Sequence, residues 1–406
     1  MDHFSIHSRT FLGMLDSLEM HWHNDLNLPA RIERLIKSDK RLGSRDRKLY
    51  RELIYTTLRY LPWIEPVLRT NRDLAIQVIA WLSEESTATR YFKKDATLGW
   101  PNTEESLAKK ETIICEKLSL KRLPSLLPDW LETEAPDIFQ ENHYSRINQR
   151  APLWLRLQTP AHEKTFAEFK SLGWTWDISN ILPNAVKMLS YGDVTKTEAY
   201  VSGQFEIQDI GSQLILETIG ISQSGRWLDA CAGAGGKSLQ LAKLTGTNAS
   251  IECFDIRLSA LDQLNERARR SGLSKVIKTI NQPSGHYDGV LVDAPCSGTG
   301  TWRRSPHLKW VTSKSSIAEY ALKQAEILTQ ASKYVKVGGR LIYATCSVCS
   351  QENENQIESF LKNNPHFSLA PFAKPFDGVN RHFGLLFWPD IHDGDGYFVA
   401  SLLKNR

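Results

Sequence analysis

Two cysteines stand three apart in "YATCSVC" (343–349), and a third closes "YDGVLVDAPC" (287–296). Thiols at that spacing can ligate a metal, cycle as a dithiol, or place one nucleophile at a strand end. Zinc ligation needs a second ligand pair, and none follows; "HWH" (21–23) lies in a distant helical stretch. A dithiol needs a thioredoxin-like setting, which the Gly-rich turn at 228–238 contradicts. The plain competing reading is a Cys346 buried at a strand end for packing alone.

That turn, "LDACAGAGGKS", follows an apolar strand and opens a helix. Glycines there let a ligand approach the backbone, and the helix start offers N–H groups. Two phosphate motifs fail. A P-loop needs glycine where Cys231 stands, and the dinucleotide fingerprint needs one where Ser238 stands. Asp255 closes the next strand, where a carboxylate can accept both ribose hydroxyls. Adenosine without phosphates points to S-adenosylmethionine before NAD or ATP. The bland alternative is a tight turn with no ligand.

Such residues need a scaffold. From about 203, strands ("GRWLDACA", "ASIECFDI", "YDGVLVDAP", "GGRLIYATCS") alternate with helices ("KSLQLAKLTG", "SALDQLNERARRSG", "IAEYALKQAEILTQASKYV"). The alternation predicts an α/β fold, a parallel sheet wrapped on both faces. The strands before Cys296 and Cys346 are joined by one long helix, so they are expected to be neighbours. Their carboxyl ends, where open sheets bind ligands, then bring the two thiols to one pocket. Cys349 is expected to turn into the following segment, as a structural residue. Residues 1–140 read as all-α, with Leu49, Leu53, Ile54, Leu58 and Leu61 at helical spacing. Residues 141–202 form a small α/β segment with the strand "PLWLRLQT" and the helix "HEKTFAEFKSLG". The expected domains are 1–140, 141–202 and 203–406.

With 406 residues, 41% hydrophobic, the chain can build two or three cores. No run of 18 apolar residues exists, so no membrane span is expected. The start shows no basic head with an apolar block, so export is not expected, and six scattered cysteines fit a reducing cytoplasm. Net charge is only +4, but nine Lys/Arg face three acidic residues from Arg31 to Arg51. "ERARR" (266–270) and "WRRSPHLKW" (302–310) are further basic clusters. Each alone reads equally as a solvated face; together they point to nucleic acid.

Five segments in order, "FEIQDIGSQL", "LDACAGAGGKS", "DAPCSGTGTWRRSPHLKW", "YATCSVCSQENE" and "DGDGYFVASLL", resemble the motifs of the NOL1/NOP2/Sun family of RNA cytosine-5 methyltransferases. "LGSRDRKLYRELIYTTLRYLPWIEPVL" resembles the NusB-like helical domain of its bacterial Sun-type (RsmB-type) ribosomal RNA enzymes. The resemblance implies a Rossmann-like catalytic domain at 203–406, with a NusB-like domain and a small subdomain that bind RNA. It makes Cys346 the nucleophile, Cys296 the thiol of the release step, Asp293 the acid at the cytosine and Lys237 the active-site lysine. It lays S-adenosylmethionine against Asp229, Cys231, Ala232, Gly233, Ala234, Gly235, Gly236, Lys237, Asp255, Arg257 and Asp293.

Three departures stand out. Ala234 replaces a proline; "KTINQPSGH" lacks the second acid that contacts adenine; "WLRLQT" lacks Arg-Val-Asn. The expected activity is cytosine C5 methylation of RNA, 16S ribosomal RNA first and transfer RNA as the alternative, by a cytoplasmic monomer without metal or membrane partner. A non-catalytic RNA-binding scaffold is the rival; intact Cys296, Cys346, Asp293 and Asp255 argue against it.

Overall fold

A computed structural model describes residues 3–103, 106–159 and 162–405. The chain divides into two compact units. One runs to Gln149 and takes in Trp302–Ser313; the other comprises Arg150–Thr301 and the chain from Lys314 onward.

The second unit holds both sheets. The small antiparallel sheet comprises β1 (Leu153–Leu157), β2 (Thr175–Ile178), β3 (Ala185–Ser190) and β4 (Phe205–Ile207), in the order β2-β3-β1-β4. β4 lies beyond the expected boundary at 202. It pairs antiparallel with β1, and charge ties it to a helix further along the chain. Glu206 on β4 is buried and accepts hydrogen bonds from Arg267 (2.8 and 3.0 Å) and Arg270 (2.6 Å), both on the helix Leu258–Arg270. A carboxylate so enclosed needs such partners. The "ERARR" cluster is therefore largely internal, and of its arginines only Arg269 is exposed.

The large sheet comprises β5 (Gly225–Asp229), β6 (Ala249–Cys253), β7 (Ile277–Thr279), β8 (Tyr287–Asp293), β9 (Val335–Thr345), β10 (Phe367–Leu369), β11 (Val379–Arg381), β12 (Gly384–Phe387) and β13 (Tyr397–Lys404). Its order is β11-β12-β13-β9-β8-β5-β6-β7, with β10 on β13. β5 to β9 run parallel, whereas β13 is antiparallel to β9. The core strands are apolar throughout, as burial on both faces demands: Val290, Leu291, Val292, Leu341, Ile342 and Tyr343 are fully buried. β6 and β8 flank β5, so successive connections leave it in opposite directions. That switch point opens a crevice at the strands' carboxyl ends.

The first unit is helical, with Ser44–Arg59 at its centre. The Asp46 carboxylate accepts the Gly43 N–H at 2.9 Å and caps its start. Leu49, Leu53, Ile54 and Leu58 line its buried face, each contributing about 2 kcal/mol by burial. Leu61 belongs to the next helix, Leu61–Thr70; Pro62, with no N–H to donate, breaks the run.

Residues 302–313 pack in this unit, not with their sequence neighbours. Trp302, Arg303, His307 and Lys309 of "WRRSPHLKW" are buried, so this basic cluster is no RNA face. Arg59 donates to the Arg303 carbonyl at 2.8 Å, and Trp310 Nε1 to the Leu58 carbonyl at 2.6 Å. Lys309 Nζ donates to the Arg59 carbonyl and Asn148 Oδ1, each at 2.8 Å. Burial, with the Arg59 charge nearby, pushes the Lys309 ammonium well below its usual range. Lys309→Ala would strand two buried acceptors, each at about 1–3 kcal/mol. Urea denaturation should show the unfolding free energy reduced by about 2–5 kcal/mol. A change within about 0.5 kcal/mol, the size of an ordinary surface substitution, would show that Lys309 is not a structural post.

Candidate active site

The Gly-rich turn joins β5 to the helix Gly236–Thr245. Gly235 sits at φ 86°, a left-handed conformation that favours glycine, and a Cβ there would lie 2.7 Å from Leu264. The turn is pinned from below. Ala232 N–H donates to the Phe254 carbonyl at 2.9 Å, and Arg267 donates to the Ala234 carbonyl at 2.6 Å. Ala232 and Gly235 are buried; Cys231, Gly233, Ala234 and Gly236 are partly exposed. Burial pushes the Cys231 thiol far up.

Asp229, expected as a cofactor contact, closes β5. It is buried, accepting from Ser238 Oγ at 2.7 Å and from the Cys231 N–H at 3.4 Å. It anchors the turn to its helix. Burial raises its carboxyl from 3.8 to about 7.

Asp255 follows β6. Both carboxylate oxygens are engaged: Gly233 N–H donates at 2.8 Å, Arg257 N–H at 2.9 Å, and the Arg257 guanidinium at 3.0 and 3.1 Å. Burial acts to raise this carboxyl, but the Arg257 and Gly233 hydrogen bonds outweigh it and hold it below the ordinary range. The apolar side chains of Ile256 and Leu258 are exposed beside it. Sequence reasoning passed over them; two apolar residues just after a strand-end acid were the available signal. Beyond β7 stand the exposed amides Asn281 and Gln282 and no acid.

β8 and β9 pair in parallel, with Asp293 opposite Ala344. The loops that follow bring Cys296 Sγ within 3.3 Å of Cys346 Sγ. The adjacent thiol, then burial, push Cys296 well above its ordinary value. Lys237, buried at the helix start, donates to Asp293 Oδ2 at 2.9 Å and lies 5.1 Å from the Tyr397 ring. Cys349 points elsewhere. It is buried, its thiol 3.6 Å from Thr299 Oγ1. Among the described residues, no group of three or more His, Cys, Asp or Glu could hold a metal ion.

The two cysteine loops share a support that sequence reasoning missed. Glu352 is fully buried and accepts from Ser297 N–H (2.9 Å), Ser297 Oγ (2.5 Å), Ser347 Oγ (2.5 Å) and Gln324 Nε2 (3.0 Å). Burial raises its carboxyl, and these donors only partly offset the rise. The signal was the acidic "SQENE" directly after the cysteines. Gly300 completes the assembly: its N–H donates to the Cys346 carbonyl at 2.9 Å, and its carbonyl accepts the Gly396 N–H at 2.8 Å. A Cβ at Gly300 would lie 2.1 Å from the Gly396 oxygen, so only glycine fits.

The Asp229 carboxyl gives a pH signature. Folding takes up a proton between pH 3.8 and about 7. The stability it contributes is complete at low pH and is lost as pH rises through about 7. Unfolding free energies across that window should therefore decline less with pH in Asp229→Asn than in the parent. Equal slopes would show that Asp229 is already ionised in the fold.

A family model described as "16S rRNA methyltransferase RsmB/F" matches residues 217–403. The "Ribosomal RNA small subunit methyltransferase B" of Klebsiella pneumoniae (strain 342) is 32% identical over 293 residues, which is 69% of this chain and 67% of that protein. The protein of the same name from Enterobacter sp. (strain 638) is 31% identical over 294 residues, again 69% and 67%. The chain thus spans about two thirds of the length of these relatives. The crystal structure of PH0851 superposes with a TM-score of 0.75 at 22% identity, covering 98% of each chain. NSun6 from Pyrococcus horikoshii with SFG, an S-adenosylmethionine analogue, gives 0.61 at 17% identity, covering 70% of this chain and 98% of that one. At these identities the structures speak for the fold: a Rossmann-like methyltransferase sheet with a helical N-terminal region.

Proposed function

The chain belongs to the 16S rRNA methyltransferase RsmB/F family, and from that premise we propose that it methylates C5 of a cytosine in 16S ribosomal RNA through a covalent Cys346 adduct, with S-adenosylmethionine as methyl donor. The observation that carries this reading is the thiol pair 3.3 Å apart at the ends of neighbouring parallel strands.

The crevice suits the cofactor. A glycine turn at the switch point, an acid held ionised at the end of β6 and exposed Ile256 beside it match ribose and adenine with no phosphate to bind. Gly233 and the turn around it would lie under the ligand, and Asp255 would accept the ribose hydroxyls. Asn281 and Gln282 are the polar groups on offer where the family's second acid is missing. When bound, the cofactor supplies an electrophilic methyl group.

The chain's own residues then make cytosine reactive. C5 is a weak nucleophile in the aromatic ring. A Cys346 thiolate adding to C6 leaves C5 enamine-like and able to accept the methyl group. Cys296 Sγ, 3.3 Å away, is near enough to hydrogen-bond that sulfur. Lys237 takes Asp293 Oδ2, so Oδ1 is the oxygen offered to the N3 edge, where a hydrogen bond stabilises the adduct. After methylation Cys296, as thiolate, would take the C5 proton; the freed C–H pair forms the C5–C6 double bond, and the C6–S bond breaks to return Cys346 as thiolate. The base must first be flipped from its stack.

The helical unit supplies RNA affinity in this reading. Arg34 on the helix Leu28–Ser38, Lys48 on the helix Ser44–Arg59 and Lys40 in the turn between them are exposed, and no carboxylate pairs with them among the described residues. Arg45 and Arg90 each lie 4.8 Å from the centre of the exposed Tyr91 ring. The protein would work as a cytoplasmic monomer, with sedimentation equilibrium as the check on mass.

Two experiments test the proposal. Cys346→Ala should abolish methylation and form no covalent complex. Cys296→Ala should still be attacked through and then stall, giving a protein–RNA band on a denaturing gel that requires Cys346. Cys349→Ala should methylate nearly normally. An adduct surviving in Cys346→Ala would make Cys296 the nucleophile instead.

The second concerns the basic face. Reversing Arg34, Lys40 and Lys48 to Glu should weaken RNA binding at least tenfold and flatten the log–log salt slope by about 2–3. Cofactor affinity should stay put. RNA affinity unchanged at every salt concentration would mean that this face is merely solvated.

A further inference from the structure

Arg257 was expected to hold the cofactor; its guanidinium lies on the Asp255 carboxylate. A carboxylate offers about four acceptor directions. At Asp255 all four are used. Oδ1 accepts the Arg257 N–H (2.9 Å) and Nε (3.0 Å); Oδ2 accepts the Gly233 N–H (2.8 Å) and Arg257 Nη2 (3.1 Å). Ribose hydroxyls cannot donate to this carboxylate while the guanidinium stays.

Only the guanidinium can yield. The Gly233 and Arg257 N–H groups belong to the backbone that shapes the turn and the start of the helix Leu258–Arg270. The Arg257 side chain, by contrast, is 67% exposed, while Asp255 is buried, so the guanidinium can return to water as it leaves the acid. Its position matters too. A Cβ built on Gly233 would lie 3.4 Å from Arg257 Nη2, so the guanidinium reaches across the very turn that a ligand must approach. It also places positive charge where a sulfonium-bearing ligand would lie, a repulsion felt at short range.

We propose that Arg257 is a latch on the ribose-binding carboxylate, which must swing off Asp255 before the nucleoside is accepted and so lowers the affinity for cofactor and slows its entry. This rests on the reading of Asp255 as the ribose acceptor. Helix and turn stay as they are; only one exposed side chain moves.

The test measures binding of S-adenosylhomocysteine and S-adenosylmethionine by calorimetry and stopped flow, in the full-length protein. Arg257→Ala should bind both ligands about two- to fivefold tighter, through faster association, the gain expected from losing a weak ion pair. Arg257→Lys, which keeps charge but loses the fork, should fall between. Salt should tighten binding in the parent, by weakening the latch, and do so much less in Arg257→Ala. In an Asp255→Ala background, Arg257→Ala should add nothing. Weaker binding by Arg257→Ala, while Asp255→Ala also binds weakly, would overturn the latch alone and make Arg257 a ligand contact. Unchanged affinity in Asp255→Ala would remove the ribose-acceptor reading beneath it.

Discussion

One buried carboxylate holds the reactive end of this protein together. Glu352 takes four hydrogen bonds, three of them from the loops that carry Cys296 and Cys346. Parallel pairing of β8 and β9 brings those loops near each other, but pairing alone leaves several ångströms of freedom at strand ends. A carboxylate sealed from water cannot leave its donors unmet without a large cost. It therefore fixes Ser297 and Ser347 relative to one another, and with them the neighbouring thiols. Asn353 extends the grip, donating to the Ser347 carbonyl and accepting from Thr345 Oγ1. The thiol separation of 3.3 Å is the outcome of this framework.

The cofactor side is built on a second enclosed acid. Glu206, on the small sheet, binds Arg267, and Arg267 in turn holds the carbonyl of Ala234 in the Gly-rich turn. The small sheet is thus part of what shapes the turn, besides any role toward RNA. Ala234, where the family resemblance leads one to expect proline, is held by a guanidinium from below.

Much of this was readable from residue order. Alternating strands and helices imply adjacent strand ends, and that suffices to bring Cys296 and Cys346 together; Asp255 follows from its place after the second strand. Burial of charge was not readable. "ERARR" and "WRRSPHLKW" look like RNA-facing clusters because composition does not reveal that Glu206 waits for Arg267, or that the Arg59 and Asn148 oxygens wait for Lys309. Short strands such as β11 and β12 carry too few residues for a period to emerge. The acid Glu352 was visible as a residue, but its donors come from three separate segments. Arg257 follows Asp255 by two residues, and nothing in that spacing says whether the side chain turns toward the acid or away.

The segment Trp302–Ser313 carries one more consequence, for the time at which the helical unit is complete. Arg59 meets the Arg303 carbonyl across 244 residues of chain, and Lys309 across 250. Contacts so distant in sequence form late, because a long loop must close first. On the ribosome the delay is also one of synthesis. At roughly 5–20 residues per second, the helices emerge on the order of tens of seconds before their last piece exists. Through that interval the nascent module keeps Leu58 and the polar groups of Arg59 open to water, a surface for chaperones to guard. The interval is set by where the segment lies in the gene, and a circular permutation joining 302–313 to the helices would erase it.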